Sequence, residues 1–327
     1  MSDSVLVAGG AGYIGSHVCK ALAESGATPI CYDTLEKGHD WAVRWGPLER
    51  GDIGDAARLA EVFRRHRPCA VIHLAGYIEV GESVRLPERY LHNNATKTRV
   101  LIEAAARHGV NGFVFSSTCA VYGLPQAEHL DEAHRIAPIS PYADSKARVE
   151  AALRDAARSG LRAASLRYFN AAGADPGGEI GEAHEPETHL LPLAADAALG
   201  FGPALTLLGD DYDTPDGSCV RDFVHVTDLA DAHLRALQWL RRSADGGVHE
   251  AFNLGSGSGH SVKQVVRETA RLVGRPVPHV TGPRRPGDSP RLVGDIAKAA
   301  RELGWTPSRD LSAQIEDTLR WRRAMPR

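Results

Sequence analysis

Through its first half the chain alternates two hydrophobic periods. Ser4–Ala8, Pro29–Tyr32, Ala70–Leu74, Gly112–Phe115 and Ala164–Tyr168 are short, almost wholly apolar runs and read as strands. Between them Tyr13–Ser25, Ala56–His66, Glu88–His108 and Pro141–Ser159 carry the 3.6-residue apolar spacing of helices. A strand with no polar side is buried on both faces, so strand–helix alternation of this kind predicts a parallel sheet covered by helices. Right-handed crossovers make that an α/β, doubly wound sheet. The pattern changes after Asn170. Ala171–Glu187, rich in Gly, Pro, Asp and Glu, reads as one long loop, a length that usually carries function or mobility. Helical patterns follow at Leu191–Leu199, Val226–Arg242 and Val262–Val273, with short strands near Leu205–Leu208 and Val220–Val224. A smaller C-terminal α+β region is expected, dividing the chain into residues 1–172 and 173–327. Gly282–Gly287 is the most turn-prone spot of the second half.

Composition narrows the classes. The chain has 327 residues, 43% hydrophobic and 24% charged, long enough to bury a large core and too apolar to be disordered. A net charge of −3 provides no global field for nucleic acid or an anionic membrane, so neither is expected as a partner. The cysteines Cys19, Cys31, Cys69, Cys119 and Cys219 are scattered, without a C-x-x-C pair, so neither a disulfide framework nor a zinc site is indicated and no metal is expected. No run of about 18 apolar residues and no charged-then-apolar leader occurs, which predicts a cytoplasmic protein. Lysine is confined to Lys20, Lys37, Lys97, Lys146, Lys263 and Lys298, so a lysine inside a motif carries weight.

Gly9-Gly10-Ala11-Gly12-Tyr13-Ile14-Gly15 follows the first strand and opens the first helix. The glycines at 9, 12 and 15 suit a tight turn, a close approach of backbone to a pyrophosphate, and helix–sheet packing. The helix start, Tyr13 and Ile14 included, offers unpaired N–H groups to phosphate. Asp33 ends the second apolar run, 18 residues past Gly15, where a carboxylate takes the adenosine ribose hydroxyls and repels a 2′-phosphate. The first region is therefore read as a Rossmann domain binding NAD rather than NADP. Asp52-Ile53, after the next strand-like piece, is placed at the adenine.

Tyr142 and Lys146 form Y-x-x-x-K at the start of a helix, one turn apart on one face. In such sheets ligands sit beyond the carboxyl ends of the strands. To act as a base near neutrality a phenol must fall from near 10 to near 7, roughly 4 kcal/mol of preferential stabilisation of the phenolate. A neighbouring ammonium and a nicotinamide ring both push in that direction, and Lys146 is also placed to hold the nicotinamide ribose.

Gly9–Gly15, Ser116-Ser117-Thr118 and Tyr142/Lys146 together resemble the extended short-chain dehydrogenase/reductases. Within that family the chain is similar to the UDP-glucose 4-epimerase group. Gly81-Glu82-Ser83, Phe115–Gly123, Leu166–Asn170, Asp213–Gly217, Val220–Val226, Asn253-Leu254-Gly255 and Arg284–Asp288 carry this likeness, from Val5 to about Trp305. The resemblance implies tightly held NAD regenerated in each cycle, a UDP-hexose substrate, with UDP-galactose/UDP-glucose foremost, and a homodimer formed through helices near Glu88–His108 and Pro141–Ser159. Tyr142 takes the proton of the sugar 4-hydroxyl, with Thr118 hydrogen-bonded to the same oxygen and relaying it. Asn93 and Tyr168 lie by the cofactor. Asn170, His189 and Arg221 face the nucleotide diphosphate and sugar, Arg285 the phosphates, and Asp288 the nucleotide ribose. Arginine forks match a diphosphate bidentately, while a loosely held hexose keeps the freedom to turn over.

The string after Thr118 separates related reactions. Sugar-nucleotide 4,6-dehydratases carry Asp-Glu there, and this chain has Cys119-Ala120, neither of which serves as the acid or base of an elimination. The glutamate of the glucuronate decarboxylases is also missing. Three positions depart from the group: Ile78, where some members have a lysine; Leu207-Leu208, where an aromatic often lies on the uracil, a contact of about 1 kcal/mol; and Leu292, near the position that gates N-acetylated sugars. The alternatives are 4-epimerisation of a UDP-hexosamine, pentose or uronic acid, a sugar-nucleotide reductase with net redox turnover, and a non-catalytic dinucleotide sensor.

Overall fold

The computed structural model describes residues 4–243, 246–285 and 287–325. Pro286 of the turn-prone Gly282–Gly287 cluster lies outside the described residues. Six strands of the first half are β1 (Ser4–Ala8), β2 (Thr28–Asp33), β3 (Leu48–Arg50), β4 (Ala70–His73), β5 (Gly112–Thr118) and β6 (Arg162–Tyr168). The helices between them are α1 (Tyr13–Glu24), α2 (Ala56–His66), α3 (Val80–Arg85), α4 (Pro87–Tyr90), α5 (Lys97–Arg107) and α6 (Pro141–Ala157). The second half adds β7 (Asn170–Ala172), α7 (Leu190–Leu199), β8 (Leu205–Leu208), β9 (Val220–Arg221), β10 (Phe223–His225), α8 (Val226–Arg242) and β11 (Val248–Leu254). It closes with β12 (His260–Ser261), α9 (Val262–Val273), β13 (His279–Gly282), β14 (Arg291–Leu292) and α10 (Leu311–Ala324).

The main sheet runs β11-β6-β5-β4-β1-β2-β3 and every pairing in it is parallel. Its alternate residues supply two cores. Val5, Val7, Ile72, Val114 and Leu166 pack with Val18 and Leu22 of α1 and Leu229, Ala236 and Leu240 of α8. Leu6, Ile30, Val71, Phe113 and Phe115 pack with Leu59 and Phe63 of α2, Leu101 of α5, and Val149 and Leu153 of α6. Both faces are covered, which is why these strands read as unbroken apolar runs. The strand order reverses between β1 and β4, so a crevice opens beyond their carboxyl ends.

Several elements differ from the sequence reading for identifiable reasons. β5 extends past Phe115 because Ser116, Ser117 and Thr118 pair with Leu166, Arg167 and Tyr168, although their side chains are polar. The region read as one helix over Glu88–His108 is broken: α4 starts at Pro87, a π-type turn covers Leu91–Thr96, and α5 follows. β11, whose first residues are only half-buried, is a seventh strand that the apolar-run pattern does not reveal. It and α8 return to the main sheet from residues 226–254, beyond the boundary expected near 172. The rest of the second half builds small sheets, β10-β7, β12-β9-β14 and β13-β8, around α7, α9 and α10.

Candidate active site

Gly9 sits at φ +85°, and a Cβ there would stand 2.5 Å from the Ala75 nitrogen. A Cβ on Gly15 would stand 2.0 Å from the Gly9 oxygen. The turn therefore closes only with hydrogen at both positions. Gly12 is the N-cap of α1 and no side chain caps the helix, so the first-turn N–H groups of Tyr13, Ile14 and Gly15 have no partner within the helix. An uncapped helix start beside such a cradle fits a pyrophosphate. The Tyr13 phenol is engaged elsewhere, donating to the Gly173 carbonyl at 2.6 Å. Asp33 fastens the end of β2 to the turn: Oδ2 accepts from Ala11 N at 3.0 Å and Oδ1 from Leu35 N at 2.9 Å. Burial raises the Asp33 carboxyl despite these N–H donors. Asp52 Oδ2 meets Lys97 Nζ at 2.5 Å, while its carbonyl accepts from the Tyr32 hydroxyl at 2.9 Å. Ile53 is packed in the core under α2.

Thr118, Tyr142 and Lys146 come together where β5 ends and α6 begins. Thr118 Oγ1 accepts from Ala120 N at 3.1 Å, which fixes the rotamer at the strand end. Ser140 caps α6 through Ala143 N, and Pro141 occupies its first turn, so Tyr142 enters on a firmly started helix. The Thr118 hydroxyl favours the ionised form of the Tyr142 phenol. Lys146 Nζ donates to the Ser116 carbonyl at 2.8 Å and lies 6.0 Å from the Tyr142 ring centre and 4.9 Å from that of Phe115. The electrostatics correct one expectation. Burial pushes the Tyr142 phenol up to about 12, and the nearby Thr118 hydroxyl pulls it down by less. Burial also brings Lys146 down to about 8. The lysine alone does not acidify the phenol, because both groups are taken out of water.

From Thr118 the backbone leads to the second half. Thr118 pairs with Tyr168 across β5 and β6, and Asn170 pairs with Phe223 across β7 and β10. Asn170 Oδ1 is buried with no partner among the described residues, the state of an acceptor waiting for a ligand donor. Arg221 Nη1 donates to the Val220 and Ser289 carbonyls, each at 2.9 Å, and Nη2 lies 3.3 Å from Asp288 Oδ1. Arg221 is thus joined to Asp288 rather than to its neighbour Asp222. The Asp222 carboxylate instead accepts from Ser256, Gly257 and Gly294. Arg285 is exposed on the same loop as Asp288. Beyond Gly209 the structure supplies an aromatic that Leu207-Leu208 did not suggest: Tyr212 is buried, and Arg284 lies 4.4 Å over its ring.

Other expected residues are occupied otherwise. Tyr168 donates to His233 Nε2 at 2.6 Å inside the core, because His233 Nδ1 is committed to the Leu229 carbonyl. Asn93 donates to Asn94 Oδ1 at 3.1 Å. Asn94, buried and unremarked in the sequence, accepts from Tyr77 N and donates to Tyr77 O, both at 2.9 Å, which ties the segment after β4 to α6 through Ser145. His189 caps α7 among carboxylates, at 2.7 Å from Glu182 and 3.1 Å from Glu187, and these raise it to about 10. Directly behind Thr118 a buried network escaped the motif reading. Arg167 forks onto Glu150 at 3.0 and 2.6 Å, Ser117 donates to Glu150, and Arg167 also reaches the Tyr122 hydroxyl, which donates to Asn253.

Comparison with known proteins agrees with this geometry. The signature of the family described as "NAD dependent epimerase/dehydratase family" matches residues 5–255. The chain is 52% identical over 320 residues to a UDP-glucose 4-epimerase of Rhizobium leguminosarum bv. trifolii, covering 98% of this chain and 97% of that protein. It superposes on the crystal structure of UDP-glucose 4-epimerase from Brucella ovis in complex with NAD with a TM-score of 0.94, at 46% identity and coverage of 97% and 98%. A Stenotrophomonas maltophila UDP-glucose-4-epimerase with bound NAD and formylated UDP-arabinopyranose gives a TM-score of 0.95 at 38% identity, with 98% of both chains covered. The uncapped glycine turn, the Thr118–Tyr142–Lys146 group and these full-length similarities place the chain in the NAD dependent epimerase/dehydratase family.

Proposed function

We propose that this protein is an NAD-dependent UDP-sugar 4-epimerase that interconverts UDP-galactose and UDP-glucose through a 4-keto sugar. The observation that carries the reading is the half-buried Tyr142 at the start of α6, favoured as phenolate by the Thr118 hydroxyl and one helical turn from the buried Lys146, in a fold whose first helix starts uncapped at a glycine turn. The curated relatives bearing the name UDP-glucose 4-epimerase, similar over nearly the whole chain, support it.

The division of labour follows from the site. Bound NAD supplies the acceptor and donor of the C4 hydride, together with a positive ring. Gly9, Gly12 and the N–H groups at the start of α1 hold its pyrophosphate, and Asp33 orients its adenosine ribose. Tyr142 Oη takes the proton of the sugar 4-hydroxyl and returns it. Thr118 shares that oxygen and relays the proton, and Lys146, set by the Ser116 carbonyl, holds the charge and the nicotinamide ribose. Asn170, Arg221, Arg285 and Asp288 anchor the nucleotide, so the hexose between them turns without leaving. Cys119-Ala120 offers no carboxylate for elimination, which favours epimerisation over the dehydratase chemistry also found in the family.

The test is direct. The purified protein, given UDP-galactose and no added cofactor, brings it to a mixture with UDP-glucose, read from the anomeric proton signals by NMR. No interconversion contradicts the sugar assignment, and stoichiometric consumption of added NAD or NADH points to a reductase instead. The enzyme acts as a cytoplasmic homodimer in galactose metabolism. Val80, Val84 and Leu86, exposed on the α3–α4 segment that packs on α6, support that pairing face. No helix among the described residues is long and apolar enough to cross a membrane. Light scattering on the eluting protein reads the assembly, and a monomer mass contradicts it.

A further inference from the structure

The segment between β7 and α7 contains Glu182-Ala183-His184-Glu185-Pro186-Glu187-Thr188-His189, a spacing that no part of the reaction above uses in full. We infer that Glu182, His184, Glu187 and His189 form a closed binding site for one divalent transition-metal ion, with Zn2+ the foremost candidate. One ligand atom from each residue lies within 4.8 Å of all the others. The two imidazoles converge on a single oxygen: Nδ1 of His184 is 3.0 Å, and Nδ1 of His189 2.7 Å, from Glu182 Oε1. Glu187 Oε1 stands 3.1 Å from the same His189 nitrogen.

A network of ion pairs explains part of this cluster and fails at one atom. The Glu187 side chain is only 9% exposed, yet its Oε2 has no hydrogen-bond partner among the described residues. A buried carboxylate oxygen left unsatisfied is costly. Its other oxygen already accepts from Thr188 N and His189 N at 2.8 and 2.9 Å, so the carboxylate is fixed in place. A small cation bound by two imidazole nitrogens and two carboxylates supplies the missing partner. It also relieves two acidic side chains of their mutual repulsion. Coordination displaces the Nδ1 proton of any protonated ring to solvent and changes no oxidation state.

The donor set points to the ion. Two nitrogens and two oxygens suit Zn2+ and its first-row neighbours, whereas Mg2+ and Ca2+ prefer oxygen alone. Four protein ligands with no position left open describe a structural site rather than a catalytic one. The backbone that carries Glu182 is itself held in place. Trp321 Nε1 donates to the Glu182 carbonyl at 2.8 Å, and His39 Nε2 lies 2.8 Å from the Ala183 carbonyl. The ring of Tyr13, from the glycine turn, meets His184 edge-on at 6.3 Å. A bound ion would therefore cross-link residues 182–189 immediately before α7, beside the Tyr13 ring of the dinucleotide turn. The scattered cysteines spoke only against a thiolate site, whereas this histidine–carboxylate set becomes visible once the segment is folded.

The inference stands apart from the epimerase reading, because ion content is measured without substrate. The full-length protein is stripped with chelator and equilibrated with Zn2+ or Co2+. Metal is then quantified by mass spectrometry, and Co2+ ligation is followed by visible absorption. The wild type retains one equivalent and shows the d–d bands of a four-coordinate nitrogen–oxygen site. His184→Ala and the near-isosteric Glu187→Gln, both checked for native circular dichroism, each bind about tenfold more weakly or less. A folded wild type that retains neither ion at micromolar concentration overturns the inference. So does unchanged binding in either folded variant, which would place the ion elsewhere.

Discussion

Burial pushes the Tyr142 phenol up to about 12 and the Lys146 ammonium down to about 8. Burial disfavours the charged form of both groups, and a bound nicotinamide ring beside the phenol would push its pKa back down. Tyr142→Phe removes the proton acceptor and little volume. It lowers turnover by roughly 10²–10⁴-fold while the urea midpoint stays near that of the wild type. Near-normal turnover would refute the base assignment. Lys146 leaves a second signature. Its folded value lies below the ordinary lysine value of 10.5, so between pH 8 and 10.5 the unfolded chain binds more protons and the contribution of Lys146 to stability rises with pH. The stability difference between wild type and Lys146→Met therefore shifts in favour of the wild type by about 3 kcal/mol across that window. A pH-independent difference in urea unfolding would show that the ammonium is not buried. At this scale the sequence was most legible where chemistry is local. The glycine turn, Asp33 and the Tyr142/Lys146 spacing each need only neighbours along the chain. Tyr212, Asn94 and the partner of Arg221 were not legible, since each is defined by a residue brought in from a distant segment.

β5, β6 and α6 meet through the Arg167–Glu150 fork, in which both side chains are almost fully buried. The guanidinium holds the Glu150 carboxyl below its usual range despite the burial, so the pair is ionised inside the core. Removing one member strands the other charge. Arg167→Met costs about 3–5 kcal/mol in urea unfolding, and the double variant Glu150→Leu with Arg167→Met recovers much of it. Equal losses in the single and double variants would contradict a coupled pair. Glu150 lies two turns along α6 from Tyr142, so this fork sets how the helix carrying Tyr142 rests against the strand carrying Thr118. Gly15→Ala acts on another element. Its Cβ would meet the Gly9 oxygen at 2.0 Å, so the turn must open, and the purified protein loses bound dinucleotide as read by the nucleotide released on denaturation. Retention at the wild-type level would sink the cradle. The apolar runs revealed five of the strands and their order of appearance. They were silent on the polar end of β5 and on β11, because backbone pairing there does not require apolar side chains.

For the molecule as a whole, a single parallel sheet collects segments from both halves: Thr118 ends its strand β5, Asn170 follows its strand β6 into the β10-β7 pair, and Arg221 lies in the neighbouring β12-β9-β14 sheet. Its interior also holds several neutral histidines. Burial lowers His17 and His233 to about 4 and His73 to about 3 from an ordinary 6.5. Between pH 4 and 6.5 the unfolded chain binds more protons than the folded one, so stability falls as pH drops through that window. Thermal unfolding at pH 7.5 and pH 5 reads this as a lower midpoint in acid, and an unchanged midpoint would mean that these rings are already charged in the fold. The alternation of strands and helices foretold the doubly wound sheet. It did not foretell that α8 and β11 cross back to complete it, a matter of packing rather than of local pattern. The central claim of the proposal is that Tyr142 moves the proton of the sugar 4-hydroxyl while bound NAD would take up and return the C4 hydride. UDP-galactose carrying deuterium at C4, incubated with the protein in ordinary water and followed by NMR, tests it most directly. The account predicts UDP-glucose that keeps the deuterium at C4, and product with the label washed into water, or no product at all, would contradict it.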